Sequence, residues 1–253
     1  MLPTDEFSRS QIDRLGERLR KDNFTEADLR LLDSYRRSFA EASEHVVNEI
    51  RMRLGLAPTA RPAKSTTSIA DKLRRESIRL SQVQDIAGCR LTVADIFTQD
   101  EVVKQLKSLF QESTIVDRRE RPSHGYRAVH LIIPYSGKLI EVQVRTSLQH
   151  LWAELSEKLS DIVDSAIKYG GGDEDAVRIL SAMSDTIKAQ EVKESRILRG
   201  LFMRDPQGNP DEVYLEDLKT ADIMKQRTEI ENLLRVIGEV LPRWKGRKDD
   251  LSD

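Results

Sequence analysis

Apolar residues recur at helical spacing through the first 55 positions. Ile12, Leu15 and Leu19 stand three and four apart and predict one helix. Leu29, Leu32, Phe39, Val46, Val47 and Ile50 form a second stripe, which predicts one further helix. Thr25, with Glu26 and Asp28 behind it, supplies the start of that helix, and Gly55 with Pro58 its stop. Residues 56–66 are polar, carry two prolines and predict a loop. A helix over about 66–80 follows, then a β-like run at 86–93, a helix over about 99–110 and a short strand at 114–119. Residues 128–134 and 138–146 alternate as strands about the turn Tyr135-Ser136-Gly137. From 147 onward the pattern is helical, in pieces at 147–169, 174–202 and 212–240. Gly170-Gly171-Gly172 and the stretch Asp205 to Pro210 separate them, and the last eight residues, polar and charged, predict a disordered tail.

Helices, then a βαβββ-like centre, then helices again predict an α+β fold. Its core is a mixed β-sheet flanked by helices, with N- and C-terminal helical extensions. The divisions expected are 1–55, 56–170 and 171–253.

Composition narrows the class. The chain has 253 residues, 33% charged and 5% aromatic, as expected of a helix-rich protein with a modest core. A net charge of −2 excludes a protein that coats nucleic acid, so any anion site must come from local clustering. Cys89 is the single cysteine, which excludes an internal disulfide framework or a cysteine zinc site. There is no signal-like leader and no apolar run long enough to span a membrane, so no membrane partner and a reducing cytoplasm are expected.

Three groups of residues carry candidate chemistry. Between Arg61 and Arg90 there are seven basic and three acidic residues. Lys64, Ser68, Lys72 and Arg75 fall at i, i+4, i+8 and i+11, on or just before one face of the 66–80 helix. Lysines and a hydroxyl at a helix start suit a polyphosphate; a solvated basic face is the alternative. Asp85 stands just before one strand. Glu141, Gln143 and Arg145 share one face of another, alternating with Ile140, Val142 and Val144. Two carboxylates from separate strands can hold Mg²⁺ together with phosphate oxygens; a solvent-facing sheet with a Glu–Arg pair is the alternative. On the metal reading, removing either acid should relieve like-charge repulsion. Lastly, Pro122-Ser123-His124-Gly125-Tyr126-Arg127-Ala128-Val129-His130 joins a loop to a ring able to stack on a purine, with Arg118, Arg119 and Arg121 nearby. A structural tyrosine among surface arginines is the alternative, and His124 with His130 does not make a metal site.

Five blocks in order resemble the RelA/SpoT synthetase domain, the alarmone synthetase family, in its small type without a hydrolase domain. They are Arg61/Lys64/Ser68/Ile69, Lys72-Leu73-x-Arg75, Asp85-Ile-Ala-Gly88-Cys-Arg90, Gly125-Tyr126-Arg-Ala-Val-His130 and Ile140-Glu141-Val-Gln143-Val-Arg145-Thr146. The resemblance covers about 40–165 and makes 56–170 a synthetase domain with a nucleotidyltransferase-like fold. It implies that Arg61, Lys64, Ser68, Lys72 and Arg75 bind ATP, and that Asp85 and Glu141 hold Mg²⁺ and catalyse, Glu141 also serving as base. It further implies that Tyr126 stacks on the acceptor, with Arg121, His130, Gln143 and Arg145 around it. The reaction so implied is transfer of the β,γ-diphosphate of ATP to the ribose 3′-hydroxyl of GDP or GTP, making guanosine tetra- or pentaphosphate. A toxin-type enzyme modifying the 3′-end of tRNA and a non-catalytic nucleotide-binding oligomer are the alternatives. Small members form tetramers through helical arms, so the stripes Leu29/Leu32/Phe39/Val46 and Ile230/Leu233/Leu234/Ile237 imply a homo-oligomer. One histidine, His45, in the first 55 residues gives no sign of a hydrolase half.

Overall fold

The computed structural model describes residues 7–61, 63–202 and 210–249, without the side chains of 199–219 and 242–249. The chain forms two compact units. The first comprises 1–91, 103–116 and 130–144, the second 92–102, 117–129 and 145–253.

In the first unit, helices α1 (Arg9–Arg20), α2 (Glu26–Arg37), α3 (Ala40–Leu54) and α4 (Thr66–Arg75) accompany the greater part of a mixed five-stranded sheet. Its strands are β1 (Thr59–Arg61), β2 (Ala87–Val93), β3 (Thr114–Asp117), β4 (Val129–Tyr135) and β5 (Lys138–Thr146), in the order β1-β2-β5-β4-β3. Helix α5 (Ile96–Leu109) precedes β3. The hairpin between β4 and β5 turns through Ser136 (φ 47°) and Gly137 (φ 73°). Two consecutive positive φ angles match the right-handed twist of the strands they join. Ile12, Leu15, Leu19, Leu32, Ile50, Ile69, Leu73 and Leu131 are fully buried in this unit.

The amino-terminal pattern needs correction. The stripe from Leu29 to Ile50 is two helices, α2 and α3, rather than one. Thr25 starts α2 as expected, in a reciprocal cap with Asp28. The break comes where Ser38 Oγ donates to the Tyr35 carbonyl at 2.7 Å, a local bond that competes with the helix. Phe39 then packs edge-on to Tyr35, and Lys138 Nζ lies over both rings. The expected 56–66 loop contains β1, which pairs antiparallel with β2, Ala60 opposite Cys89. All three β1 residues are exposed, so no alternation betrays this edge strand. The 66–80 helix stops at Arg75, because Arg20 of α1 takes up the carbonyl oxygens of Leu73 and Ile78. Leu32, Phe39 and Val46 are at most 3% exposed and belong to the unit's own core, whereas Leu29 is half-buried.

In the second unit, α6 (Ser147–Ile162), α7 (Glu174–Phe202) and α8 (Pro210–Asp249) pack about Leu148, Trp152, Leu155, Leu180, Ile187 and Leu234. A short 3-10 turn, Ile167–Tyr169, precedes the glycine run. The expected break falls at 205–209, outside the described residues; Pro210 opens α8, at the position where a missing N–H costs nothing. Helix α8 runs on through 246–249, where a disordered tail was expected, and 250–253 lie outside the described residues.

Candidate active site

Two acids in the first unit organise a charged site. Ser65 caps α4, its side chain accepting from the Ser68 N–H at 3.2 Å. Just before that cap, the Lys64 N–H donates to the Ile86 carbonyl at 2.9 Å, which ties the start of α4 to the segment entering β2. Asp85, in that segment, therefore lies between two lysines. Lys64 Nζ donates to Oδ2 at 2.8 Å and Lys72 Nζ to Oδ1 at 2.9 Å. Burial works to raise the Asp85 pKa, but the two ammonium groups overcome it and hold it down at about 2. Asp85 thus separates two positive charges, while the like-charge repulsion expected from the sequence acts on Glu141, whose pKa the Asp85 charge pushes up.

Glu141 is 7% exposed in the middle of β5. Its Oε1 lies 2.8 Å from His130 Nδ1. Its Oε2 accepts from Gln143 Nε2 at 2.6 Å and from Arg61 Nη1 at 3.4 Å. Burial and the charge of Asp85 push its pKa up, but the hydrogen bonds of His130 and Gln143 win and keep it below the ordinary glutamate value. Gly88 makes this site possible. A Cβ there would fall 2.0 Å from the Glu141 carbonyl oxygen, so only glycine lets β2 lie so close to β5 at this point.

The remaining donor-side residues are also in the first unit. Ser68 is exposed in the first turn of α4, its hydroxyl 2.9 Å from that of Ser65, and Arg75 is exposed in the last turn. Arg61 further lines a cavity of about 480 Å³ with Arg36, Arg37, Arg51, Asp33 and Glu44. There Asp33 answers Arg37 at 3.0 Å, so part of the positive charge is internally compensated.

The expected acceptor residues divide between the units. His130 and Gln143 stand on Glu141 in the first, as partners of the acid. Tyr126, Arg121 and Arg145 belong to the second. Arg145 Nη2 donates to the Tyr126 hydroxyl at 2.9 Å, and its guanidinium carbon lies 4.9 Å from the ring centroid. Arg121 is exposed in the loop that precedes Tyr126.

Among the described residues, no group of three or more His, Cys, Asp and Glu gathers into a metal-binding cluster. A cation at Asp85 and Glu141 would rest on two carboxylates and substrate oxygens. The pair fits that role: both acids are held ionised, and each lies within electrostatic reach of the other. Sequence reasoning missed the partners. It treated Lys64 and Lys72 as phosphate ligands alone, and passed over Gly88, although that glycine sits inside a quoted block.

Comparison with known proteins places this geometry. The region found in RelA/SpoT proteins matches residues 61–160, the stretch that holds Lys64, Asp85, Tyr126 and Glu141. The GTP pyrophosphokinase YjbM of Bacillus subtilis is 31% identical over 153 residues, 54% of this chain and 69% of that protein. An uncharacterized Mycobacterium tuberculosis protein is 33% identical over 134 residues, 51% of this chain but 49% of its own length. The chain thus spans about half the length of the mycobacterial relatives it matches. The small alarmone synthetase 1 of Bacillus subtilis superimposes with a TM-score of 0.53 at 26% identity, covering 71% of this chain and all of that one. Its structure bound to its product pppGpp gives 0.52 at 23% identity, over 68% of this chain and 100% of that one. No helix among the described residues is long and apolar enough to cross a membrane. With its acids and basic helix inside the shared segment, and more than two thirds of a Bacillus relative covered, the chain belongs to the RelA/SpoT family.

Proposed function

We propose that this protein is a pyrophosphokinase that moves the β,γ-diphosphate of ATP to the 3′-hydroxyl of GDP or GTP. The observation that carries this reading is Glu141: a buried glutamate kept ionised beside His130, with Asp85 and its lysines in the same unit. A relative with a stated activity, the GTP pyrophosphokinase YjbM of Bacillus subtilis, supports the same reading.

In the proposed reaction the acceptor 3′-oxygen attacks the β-phosphorus of ATP. The bond from that phosphorus to the α–β bridging oxygen breaks, AMP leaves, and the hydroxyl proton passes to a carboxylate oxygen of Glu141. Phosphoryl chemistry of this kind asks for positioning and charge neutralisation rather than covalent help. Asp85 and Glu141 would hold Mg²⁺, which would supply charge neutralisation to the phosphates. Lys64 and Lys72 offer six N–H donors between them, so they can serve phosphate oxygens while keeping Asp85 ionised. Ser68 and the start of α4, whose dipole favours an anion, would serve the same phosphates, and Arg61 and Arg75 would add charge. His130 and Gln143 orient the Glu141 carboxylate. Tyr126, braced by Arg145, provides the ring on which the acceptor guanine stacks.

Incubation with γ-labelled ATP and, in separate tubes, GDP, GTP, AMP, ADP and bulk tRNA tests the proposal. Label should enter GDP or GTP. Label in tRNA would make the chain a tRNA-modifying enzyme, and label in no acceptor would leave a nucleotide-binding oligomer. Self-association into a tetramer belongs to the proposal. Leu233, Val236 and Val240, at 56, 56 and 52% exposed, stand three and four apart on α8, whereas Ile230, Leu234 and Ile237 of the expected stripe pack on the unit's own core. A monomeric mass by light scattering at micromolar concentration would refute it.

A further inference from the structure

We infer that helix α7 is a working part of the acceptor site, with Ser184 positioning the loop that presents Tyr126; this rests on the function proposed above. The matched family region ends at residue 160, so α7 lies wholly outside it. Within the second unit, however, α7 holds that loop at several points. Arg127, 5% exposed, donates from Nε to Ser184 Oγ at 3.0 Å. Ser184, 2% exposed, donates onward to the Gly125 carbonyl at 2.6 Å. Arg127 Nη1 also donates to the Arg119 carbonyl at 2.6 Å, and Nη2 lies 3.5 Å from Asp185 Oδ1. One guanidinium thus ties both ends of the loop to a single turn of α7.

The loop needs such a hold. His124 (φ 51°) and Gly125 (φ 86°), immediately before Tyr126, are both in the left-handed region. A histidine there is disfavoured and persists only where surroundings over-determine it. Those surroundings are close. A Cβ on Gly125 would fall 2.8 Å from the Trp152 ring and 3.3 Å from Ser184 Cβ, and one on Gly170 would fall 2.1 Å from His124 Nδ1. Trp152 is itself fixed by donating from Nε1 to the Leu180 carbonyl of α7 at 2.8 Å. The backbone reversal that aims the Tyr126 ring is therefore set by α6 and α7, with the Ser184 hydroxyl bonded to both sides of it. An ordinary buried hydrogen bond would serve the helix alone; this one joins the carbonyl and the side chain that flank Tyr126.

Three variants of the full chain test the inference. Ser184→Ala removes both hydroxyl bonds, and Arg127→Lys keeps the charge but loses the fork. Thr186→Ala is the control, since this exposed hydroxyl bonds only its own helix at Ala182. For the first two, amide exchange over residues 118–127 should accelerate, and the acceptor KM should rise roughly tenfold, as the loss of a buried hydrogen bond implies. The KM for ATP should stay within about twofold, and Thr186→Ala should match the parent in all respects. An unchanged acceptor KM with faster exchange would make the contact merely structural and overturn the inference; so would unchanged exchange, or equal rises in both KM values. If the parent labels no acceptor at all, the functional reading fails instead. All variants are then equally silent, while exchange still decides whether Ser184 holds the loop.

Discussion

Glu141 and Glu191 are the same residue in two buried settings, and they are pushed in opposite directions. Glu141, in the first unit, is 7% exposed and has a pKa below the ordinary value. Glu191, on α7 of the second unit, is 2% exposed and has a pKa above it. Desolvation is the largest influence on both and raises both. The difference lies in what answers it. Glu141 has the imidazole of His130 at 2.8 Å and the Gln143 amide. Glu191 accepts from the Thr146 hydroxyl and from Gln149 Nε2 at 3.1 Å, both neutral donors, and the charge of the nearby acid Glu194 outweighs that of Arg227. Burial alone therefore says little about a carboxylate's charge. The partner decides it, and an acid intended as a base or metal ligand must be given one.

The largest test of this contrast is Glu141→Gln. The amide keeps the shape but can neither take a proton nor hold charge, so turnover should fall by roughly 10²–10⁴-fold, the usual weight of a general base. Melting of the metal-free variant should stay cooperative. ATP-to-AMP conversion measures the loss. Near-normal turnover would make Glu141 a structural acid like Glu191 and end the contrast.

Asp85→Asn comes next, and is read in stability as well as rate. The folded pKa of about 2 lies below the ordinary 3.8, so Asp85 contributes stability above pH 3.8 that is lost as the pH falls toward 2. At 1.36 kcal/mol per pK unit this amounts to about 2 kcal/mol at neutral pH. The asparagine variant should be less stable by about that much at pH 7 and should converge on the parent near pH 2, by denaturant unfolding. A variant as stable as the parent at pH 7 would mean that Lys64 and Lys72 do not depend on this acid.

The smallest effect is expected at Glu191→Gln. A raised folded pKa favours the protonated form, so its stabilising share is complete below the unfolded value of 4.5 and is lost as the pH rises through the folded pKa. Melting temperatures of the parent, relative to the glutamine variant, should therefore decline with rising pH across that window, with turnover little changed. A parent that gains on the variant as pH rises would show that Glu191 is stabilised as the anion, like Glu141.

The residues themselves show which parts were legible. Thr25 and Asp28 announce their helix because the cap reaches only three residues along the chain. Ser136 and Gly137 announce their hairpin because the turn is two. The polar alternation of Glu141, Gln143 and Arg145 is a period-2 signal and was read as such. The edge strand β1 was not legible, since exposed Thr59, Ala60 and Arg61 carry no alternation and form a strand only because β2 lies beside them. Nor was the break at Ser38, where a hydroxyl competes with the helix inside an unbroken apolar stripe.

What the sequence determined by itself is local: caps, turns, strand faces, and the order of blocks that carry Lys64, Asp85, Tyr126 and Glu141. Those signals depend on neighbours no more than a few residues away. The charge and aim of these side chains were decided by the tertiary structure. Asp85 is ionised by lysines 21 and 13 residues from it, Arg61 meets Glu141 across 80 positions, and Arg127 is held by Ser184 across 57. Electrostatic energy falls with distance in space and is magnified where water is excluded, and neither quantity is written in sequence spacing.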